Sequence, residues 1–205
     1  MIALNRRRYM GGGSGLPYDA EVEYVETTSN SKTSTSIFIS DVGFVRVVKQ
    51  YTVQYNASAG DGVSIPAQGS RARCFCNIGL IRNPDGIGFQ WSGVSSSQKK
   101  VIDFDTNEHT FEIDVVNKTC TIDLTTVTLI VSDTSVYNDV YFYISGYGNS
   151  LLGIRYKSLE IYNMNMEKVL DLIPIRVSQQ GGFYDKISNM LIGVGSFTAG
   201  PDKTI

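Results

Sequence analysis

The segment from residue 170 to residue 201 decides the fold. It contains three informative stretches: LDLIPIR at residues 170–176, GFYDKISN at 182–189 and GSFTAGP at 195–201. The first is typical of a strand, and Gly181-Gly182 predicts a tight turn between Arg176 and Tyr184. Residues 185–189 are expected to form a polar connection to a further strand. The segment therefore predicts strand, hairpin, strand and a glycine stop.

Two residue types add detail to that pattern. Pro174 cannot donate a ladder hydrogen bond, so we expect it at a pairing edge or a bulge. Gly195 and Gly200 are expected to adopt positive φ as the chain turns back.

The chain upstream shows short strand patterns separated by turn residues. Two alternating runs at residues 110–115 and 119–124, joined by Val116-Asn117-Lys118, predict a hairpin. No run indicates a helix longer than a turn or two. The chain has 205 residues, of which 42% are hydrophobic, with 12 Tyr and 9 Phe. These features predict one all-β domain, an antiparallel β-sandwich.

The C-terminal stretches resemble the ending of a known module, the laminin-G-like, concanavalin-A-like jelly roll of phage and prophage virion proteins. RYKSLEIY at residues 155–162 and YDAEVEYVE at 18–26 are similar to two further strands of that module, the second of them its first strand. The resemblance implies a laminin-G-like jelly roll. It also implies a structural or decoration protein of a tailed-phage virion, as head fibre, capsid decoration or tail appendage.

Residues 1–16 differ in composition from residues 17–205, the predicted sandwich domain. The arm combines apolar, basic and aromatic residues ahead of a GGGSG tether at 11–15: Ile2, Leu4, Arg6, Arg7, Arg8 and Tyr9. Without its three arginines the chain keeps 15 basic against 20 acidic residues, a net charge of −5. Two interpretations stay open: the arm anchors the protein in a groove of another virion protein, or it is a frayed terminus. Three arginines give only a weak, salt-sensitive contact with DNA, so nucleic acid is not an expected partner.

Catalytic patterns in the chain are incomplete. Glu112, Asp114 and Asn117 are similar to the Glu-x-Asp-x-x-Glu pattern of laminarinase-like glycosidases, but Asn117 cannot protonate a leaving oxygen. We expect Glu112 and Asp114 to lie on one solvated strand face. His109 is the only histidine and is expected at the surface or at a strand edge. The sequence therefore predicts a protein that is not an enzyme.

Cysteines and acidic residues give no clear metal site. Cys74, Cys76 and Cys120 are expected to be reduced thiols packed in strands. Acidic residues beside glycine or asparagine are expected to be turn residues rather than calcium ligands: Asp61, Asp85 and Asp139. Neither a metal nor a cofactor is predicted.

Binding surfaces are indicated only by aromatic residues and by the fold. Trp91, Tyr137 and Tyr147 lie near Gly or Asn, where exposed rings can stack on glycans. A weak glycan site gains avidity in a multicopy or homo-oligomeric protein. The alternative function is a carbohydrate-binding module or adhesin of a bacterial surface, and a glycosidase is the least favoured.

The location expected from the sequence is the virion, after synthesis in the host cytoplasm. The chain has no apolar run near the roughly 18 residues that span a bilayer, so a membrane is not an expected partner. Its first residues lack the apolar core of a secretory signal.

Overall fold

The computed structural model describes residues 15–28, 33–38, 41–52, 76–82, 85–91, 98–128, 141–144 and 153–204. These ranges contain fifteen β-strands and no α-helix, and the predicted all-β class is confirmed. The strands are β1 (Ala20–Glu21), β2 (Val25–Thr27), β3 (Thr33–Phe38), β4 (Val42–Tyr51), β5 (Cys76–Arg82), β6 (Asp85–Trp91), β7 (Gln98–Ile102), β8 (Glu108–Asp114), β9 (Thr119–Ile122), β10 (Thr125–Thr128), β11 (Tyr141–Ile144), β12 (Ile154–Asn163), β13 (Lys168–Val177), β14 (Gln180–Asp185) and β15 (Met190–Ala199).

Ten of these strands form one antiparallel sheet in the order β1-β13-β14-β15-β2-β12-β4-β8-β9-β10. Along β12, one edge pairs with β4 from end to end. Its other edge is divided, because residues 155–156 pair with β2 and residues 159–162 pair with β13. Since β13, β14, β15 and β2 also pair in succession, the pairings close into a ring. The sheet therefore curls back on itself here.

The two smaller sheets share one hydrophobic core with the large sheet. Their order is β5-β6-β7 and β11-β3. Phe89 of β6 packs edge-on against Phe111 of β8, with ring centroids 6.3 Å apart, and both side chains are fully buried. Inside the ring of strands, Tyr156, Phe183 and Phe197 contact one another edge to face at 5.2–6.5 Å. Sheet packing around one core is consistent with the predicted sandwich.

The C-terminal segment forms the predicted strands, but the glycine turn was predicted in the wrong place. Val177 pairs with Gln180, so the turn is Ser178-Gln179, and Ser178 has φ +58°. Gly181 and Gly182 lie inside β14, where a Cβ would come within 2.7–2.8 Å of the backbone of β15. The paired glycines therefore allow the close approach of two strands.

The structure also tests the predictions for Pro174, Gly195 and Gly200. The Pro174 carbonyl accepts a hydrogen bond from the Val22 amide at 3.1 Å. The proline therefore lies where the β13 edge passes from β12 to β1. Gly195 has φ +86°, as predicted. Gly200 does not have positive φ, and that prediction is wrong. A Cβ there would be 2.9 Å from the Tyr24 ring, so close packing requires glycine.

The hairpin predicted for residues 110–124 is confirmed as β8 and β9, with Asp114 paired to Thr119. Cys120 is a buried thiol in β9, as predicted, and Cys76 lies in β5. Cys74 is outside the described residues. Among the described residues no helix is long and apolar enough to cross a membrane.

Candidate interaction surface

Both described ends of the chain lie at the same end of the large sheet, which we call the arm end. The Asp19 amide donates to the Arg176 carbonyl at 2.9 Å, beside the last residues of β13. Near residue 204, the Lys203 amide donates to the Glu21 carbonyl at 2.9 Å. The Arg176 guanidinium binds both carboxylate oxygens of Asp202 at 2.8–3.2 Å, and this hydrogen bonding raises the pKa of Arg176. Asp19 and Lys203, near the first and last described residues, therefore both lie at the arm end.

Three turns lie at the opposite end of the sheet, which we call the turn end. They follow β8, β12 and β14. β13 runs from the turn end to the arm end over 10 residues, a length of about 30 Å at the usual rise per residue. Each turn is held by an Asp or Asn side chain that accepts backbone hydrogen bonds, a common turn device.

In the turn after β8, Asp114 accepts from the Asn117 amide at 2.7 Å and from the Asn117 side chain at 2.8 Å. Lys118 closes this turn with φ +56°. Val116 lies at its tip, 52% exposed.

In the turn after β12, the Asn163 side-chain oxygen accepts from the amides of Asn165 and Glu167 at 2.9 and 3.0 Å. The Asn163 amide group also donates to the Glu167 carboxylate at 2.7 Å. Met164 and Met166 are 53% and 56% exposed at the tip. Hydrogen bonds on both sides of the turn therefore fix the backbone that carries these two methionines.

In the turn after β14, the Asp185 carboxylate accepts from the amides of Ile187 and Ser188 at 3.1 and 3.0 Å. It also accepts from the Asp171 amide at 3.0 Å, which fastens the turn to β13. Asp185 is 2% exposed, whereas Ile187 and Met190 are about half exposed.

Gly43 brings two of the turns together. Its carbonyl accepts from the Val115 amide at 2.9 Å. On its other side, a Cβ would lie 2.4 Å from the Asn163 carbonyl oxygen. The turns after β8 and β12 are therefore close neighbours, with only the start of β4 between them. In the strand order β8 and β15 are four spacings apart, or about 19 Å along the curved sheet.

The outer face of the large sheet adjoins the turn end and carries an aromatic pair. Phe44 and Tyr162 are neighbours in β4 and β12, and their ring centroids are 5.6 Å apart in an edge-to-face contact. Lys168 lies over the Tyr162 ring and binds Glu160 at 2.7 Å. That hydrogen bond raises the pKa of Lys168, against its slight burial. The face combines half-buried rings with paired charges.

A second polar cluster surrounds His109 at the start of β8, where the sequence-based prediction was wrong. His109 is only 5% exposed. Its Nδ1 lies 2.8 Å from Asp123 Oδ2, and its Nε2 lies 2.7 Å from Asp105 Oδ1. Burial lowers the pKa of the imidazole, but the hydrogen bonds to Asp123 and Asp105 outweigh it and raise this pKa above 6.5. The partners come from residues 4 and 14 positions away, so the sequence context of His109 alone did not indicate them.

The glycosidase-like residues have structural roles. Glu112 and Asp114 lie on the outer face, as predicted, while Phe111 and Ile113 are buried on the other face. Glu112 lies 3.5 Å from Arg46, and Asp114 and Asn117 bind each other in the turn. Within the described ranges no group of three His, Cys, Asp or Glu side chains could hold a metal ion.

The site residues predicted from the sequence remain predictions. Trp91 is the last residue of β6, paired with Cys76. Tyr137, Tyr147 and the six arm residues at positions 2, 4 and 6–9 lie outside the described residues, as do Asp61 and Asp139. Asp85 is the first residue of β6. The sequence-based predictions missed the turn end, although an Asp or Asn followed within two residues by an apolar one recurs at Asp114, Asn163 and Asp185.

Comparison of the chain with protein-family models, with curated proteins and with solved structures gives no match in any of the three. The function is therefore inferred from the residues of this chain and from their geometry.

Proposed function

We propose that this chain is a structural or decoration protein of a tailed-phage virion, as head fibre, capsid decoration or tail appendage. Residues 1–10 anchor it to another virion protein, residues 11–16 are the tether, and the β domain is displayed. Two features support the proposal: the resemblance of residues 170–201 to the virion module, and the opposite positions of the arm end and the turn end. The second feature carries the argument.

A domain held at its arm end presents its turn end about 30 Å further out. There, Val116, Met164 and Met166 are 52–56% exposed in two adjacent turns, whereas Ile187 and Met190, 49% and 50% exposed, lie in the turn beside residues 171–172 of β13. Exposed apolar residues in adjacent turns mark interaction sites. The Asp and Asn side chains of the turns already bind backbone amides, so the contacts proposed here are those of the exposed apolar side chains. These contacts suit an apolar surface on a partner protein.

Anchoring is tested by deleting residues 1–10 and measuring how much protein is incorporated into purified particles. We expect incorporation to be lost while the circular dichroism spectrum of the isolated domain is unchanged. A matched variant replaces Arg6, Arg7 and Arg8 with Gln, and separates charge from the apolar and aromatic contacts. Normal incorporation of the deletion variant contradicts the anchor.

Contact through the turn end is tested with the triple variant Val116→Ser, Met164→Ser, Met166→Ser. We expect it to be incorporated normally but to attach less to the host cell, because the exposed apolar contacts are lost. The control is Leu124→Ser, since Leu124 is 98% exposed but lies in the turn after β9, away from the turn end. Equal attachment of the triple variant and the wild type would contradict contact through the turn end.

The second candidate function is glycan adhesion, either by the displayed domain or by a bacterial surface carbohydrate-binding module. The observation that favours it is the Phe44–Tyr162 pair beside charged groups on the outer face, because aromatic rings and planar polar groups suit sugars. Binding to a glycan array is the test, with Tyr162→Ala expected to lose binding. Tyr18→Ala, which removes a half-buried ring that packs on Tyr184, is the control. Binding that survives Tyr162→Ala excludes this face.

A further inference from the structure

His109 connects two segments of the chain that are distant from each other in sequence. Asp105 belongs to the connection between β7 and β8, where its carboxylate also accepts from the Asn107 amide at 2.8 Å. Asp123 belongs to the turn between β9 and β10, where it accepts from the Thr110 amide at 2.9 Å. Asp105 is therefore fixed within its own connection, whereas Asp123 is fixed to Thr110 of β8, whose carbonyl also accepts from the Asp123 amide at 2.9 Å.

The two contacts determine the protonation state of the ring. A neutral imidazole has one N–H donor and one acceptor nitrogen, and an ionised carboxylate only accepts. Both ring nitrogens lie 2.7–2.8 Å from a carboxylate oxygen. Although burial acts in the opposite direction, hydrogen bonds from Asn107 and His109 keep the pKa of Asp105 below its usual value. Both hydrogen bonds therefore require the doubly protonated, cationic ring.

Other charged groups also lie around the ring. Lys49 of β4 lies opposite His109 in the strand register and is fully buried, with its ammonium 4.7 Å from the centre of the Phe111 ring. Glu108, the preceding residue, pairs with Lys157. Asp103, in the same connection as Asp105, pairs with Lys100. Among the described residues, Asp105 and Asp123 are the carboxylates in contact with His109.

We propose that His109 is a pH-sensitive clamp, which in its cationic form ties the β7–β8 connection to the β9–β10 turn and which loses one of these two contacts when it loses a proton. This inference is independent of the proposed virion function. The β7–β8 connection joins the three-stranded sheet to the large sheet, and β10 is the last strand in the order of the large sheet. Proton loss leaves one nitrogen lone pair facing a carboxylate, so one of the two hydrogen bonds to the imidazole is lost, while Asp123 keeps its bonds to Thr110.

The sign of the pH effect follows from the raised pKa. A proton bound more tightly by the folded state stabilises it fully below the pKa of the unfolded chain. This stabilisation is lost as the pH rises through the folded-state pKa. The clamp is closed below the folded-state pKa of His109, which lies above 6.5, and it opens as the pH rises through that pKa.

The first experiment is an NMR titration of the imidazole in the full chain, where the single histidine makes the assignment unambiguous. We expect a pKa above the ordinary 6.5. We also expect the amide protection factors of Asn107 and Thr110 to fall roughly tenfold across that pKa, the size of one lost charge-assisted hydrogen bond. An imidazole pKa of 6.5 or lower overturns the proposal, as do protection factors that do not change.

Matched variants identify the partners. Asp123→Asn is expected to lower the imidazole pKa and to remove the pH dependence of Thr110 protection. Asp105→Asn is expected to lower the imidazole pKa and to remove the pH dependence of Asn107 protection. It provides the test if Asp123→Asn does not fold. Glu108→Gln, which removes the neighbouring charge, is expected to leave both measurements unchanged. An imidazole pKa that is the same in Asp123→Asn and Asp105→Asn as in the wild type rejects the clamp.

Discussion

Single Asp and Asn side chains organise the turn end, and they differ in burial. Asp185 is 2% exposed and accepts hydrogen bonds from three backbone amides and from the Ser188 hydroxyl. Asp114 makes its contacts to Asn117 in an exposed turn. Water can replace hydrogen bonds lost at an exposed turn but not at a buried one. The YDKISN stretch at residues 184–189 is therefore explained by the structure of a turn.

We expect Asp185→Ala to lower the free energy of unfolding by about 3 kcal/mol, because three amides lose a charged acceptor and at least one remains buried. The matched variant Asp114→Ala should cost about 1 kcal/mol or less. Urea unfolding of both variants is the measurement. Equal losses would show that burial does not determine the strength of these turns.

At the scale of elements, β14 depends on its glycines. Gly181 pairs with Arg176 on one side and Phe197 on the other. A Cβ at Gly181 would lie 2.7 Å from the Ala199 amide nitrogen, and backbone atoms cannot move away as a flexible side chain can. The next pair along β14, Phe183 with Ile192, shows that β15 contains three extra residues in this interval. β14 therefore packs closely against β15, and the pairing between these two strands is irregular.

We expect Gly181→Ala to lower the free energy of unfolding by about 1–3 kcal/mol through overpacking. Gln180→Ala, at the exposed residue before it, should change stability by less than about 0.5 kcal/mol. Urea unfolding again gives the comparison. A Gly181→Ala variant as stable as the wild type would mean that β15 moves aside without cost.

Elements whose determinants are local were predicted well from the sequence. The hairpin of β8 and β9 follows from two alternating runs and a polar turn, and it was placed correctly. Gly181-Gly182 was taken as a turn because the sequence does not show which strand approaches a glycine. His109 was expected at the surface or at a strand edge because its partners, Asp105 and Asp123, meet it only after β8 and β9 pair. The candidate surface at the turn end likewise depends on pairings that bring three separate turns to one end of a sheet.

At the scale of the whole molecule, the three sheets depend on one core. Ile87 and Phe89 of the three-stranded sheet are fully buried in the same cluster as Phe111 and Ile113 of the large sheet. The small sheet cannot separate without exposing these side chains to water. Burial of a large apolar side chain stabilises a protein by about 2–3 kcal/mol. Loss of the contact between the three-stranded sheet and the large sheet therefore destabilises both sheets. The sheets should therefore unfold together.

The single tryptophan makes this cooperativity measurable. Trp91 lies in β6 of the three-stranded sheet, whereas the far-ultraviolet circular dichroism comes mainly from the ten-stranded sheet. We expect tryptophan fluorescence and circular dichroism to give coincident urea transitions, which is a test of two-state unfolding. Phe89→Ala should lower the free energy of unfolding by about 3–5 kcal/mol and shift both transitions equally, because Phe89 packs against Phe111 of the large sheet. A fluorescence transition at lower urea than the dichroism transition would mean that the small sheet is a separate unit, and a displayed domain would then have two independently unfolding parts.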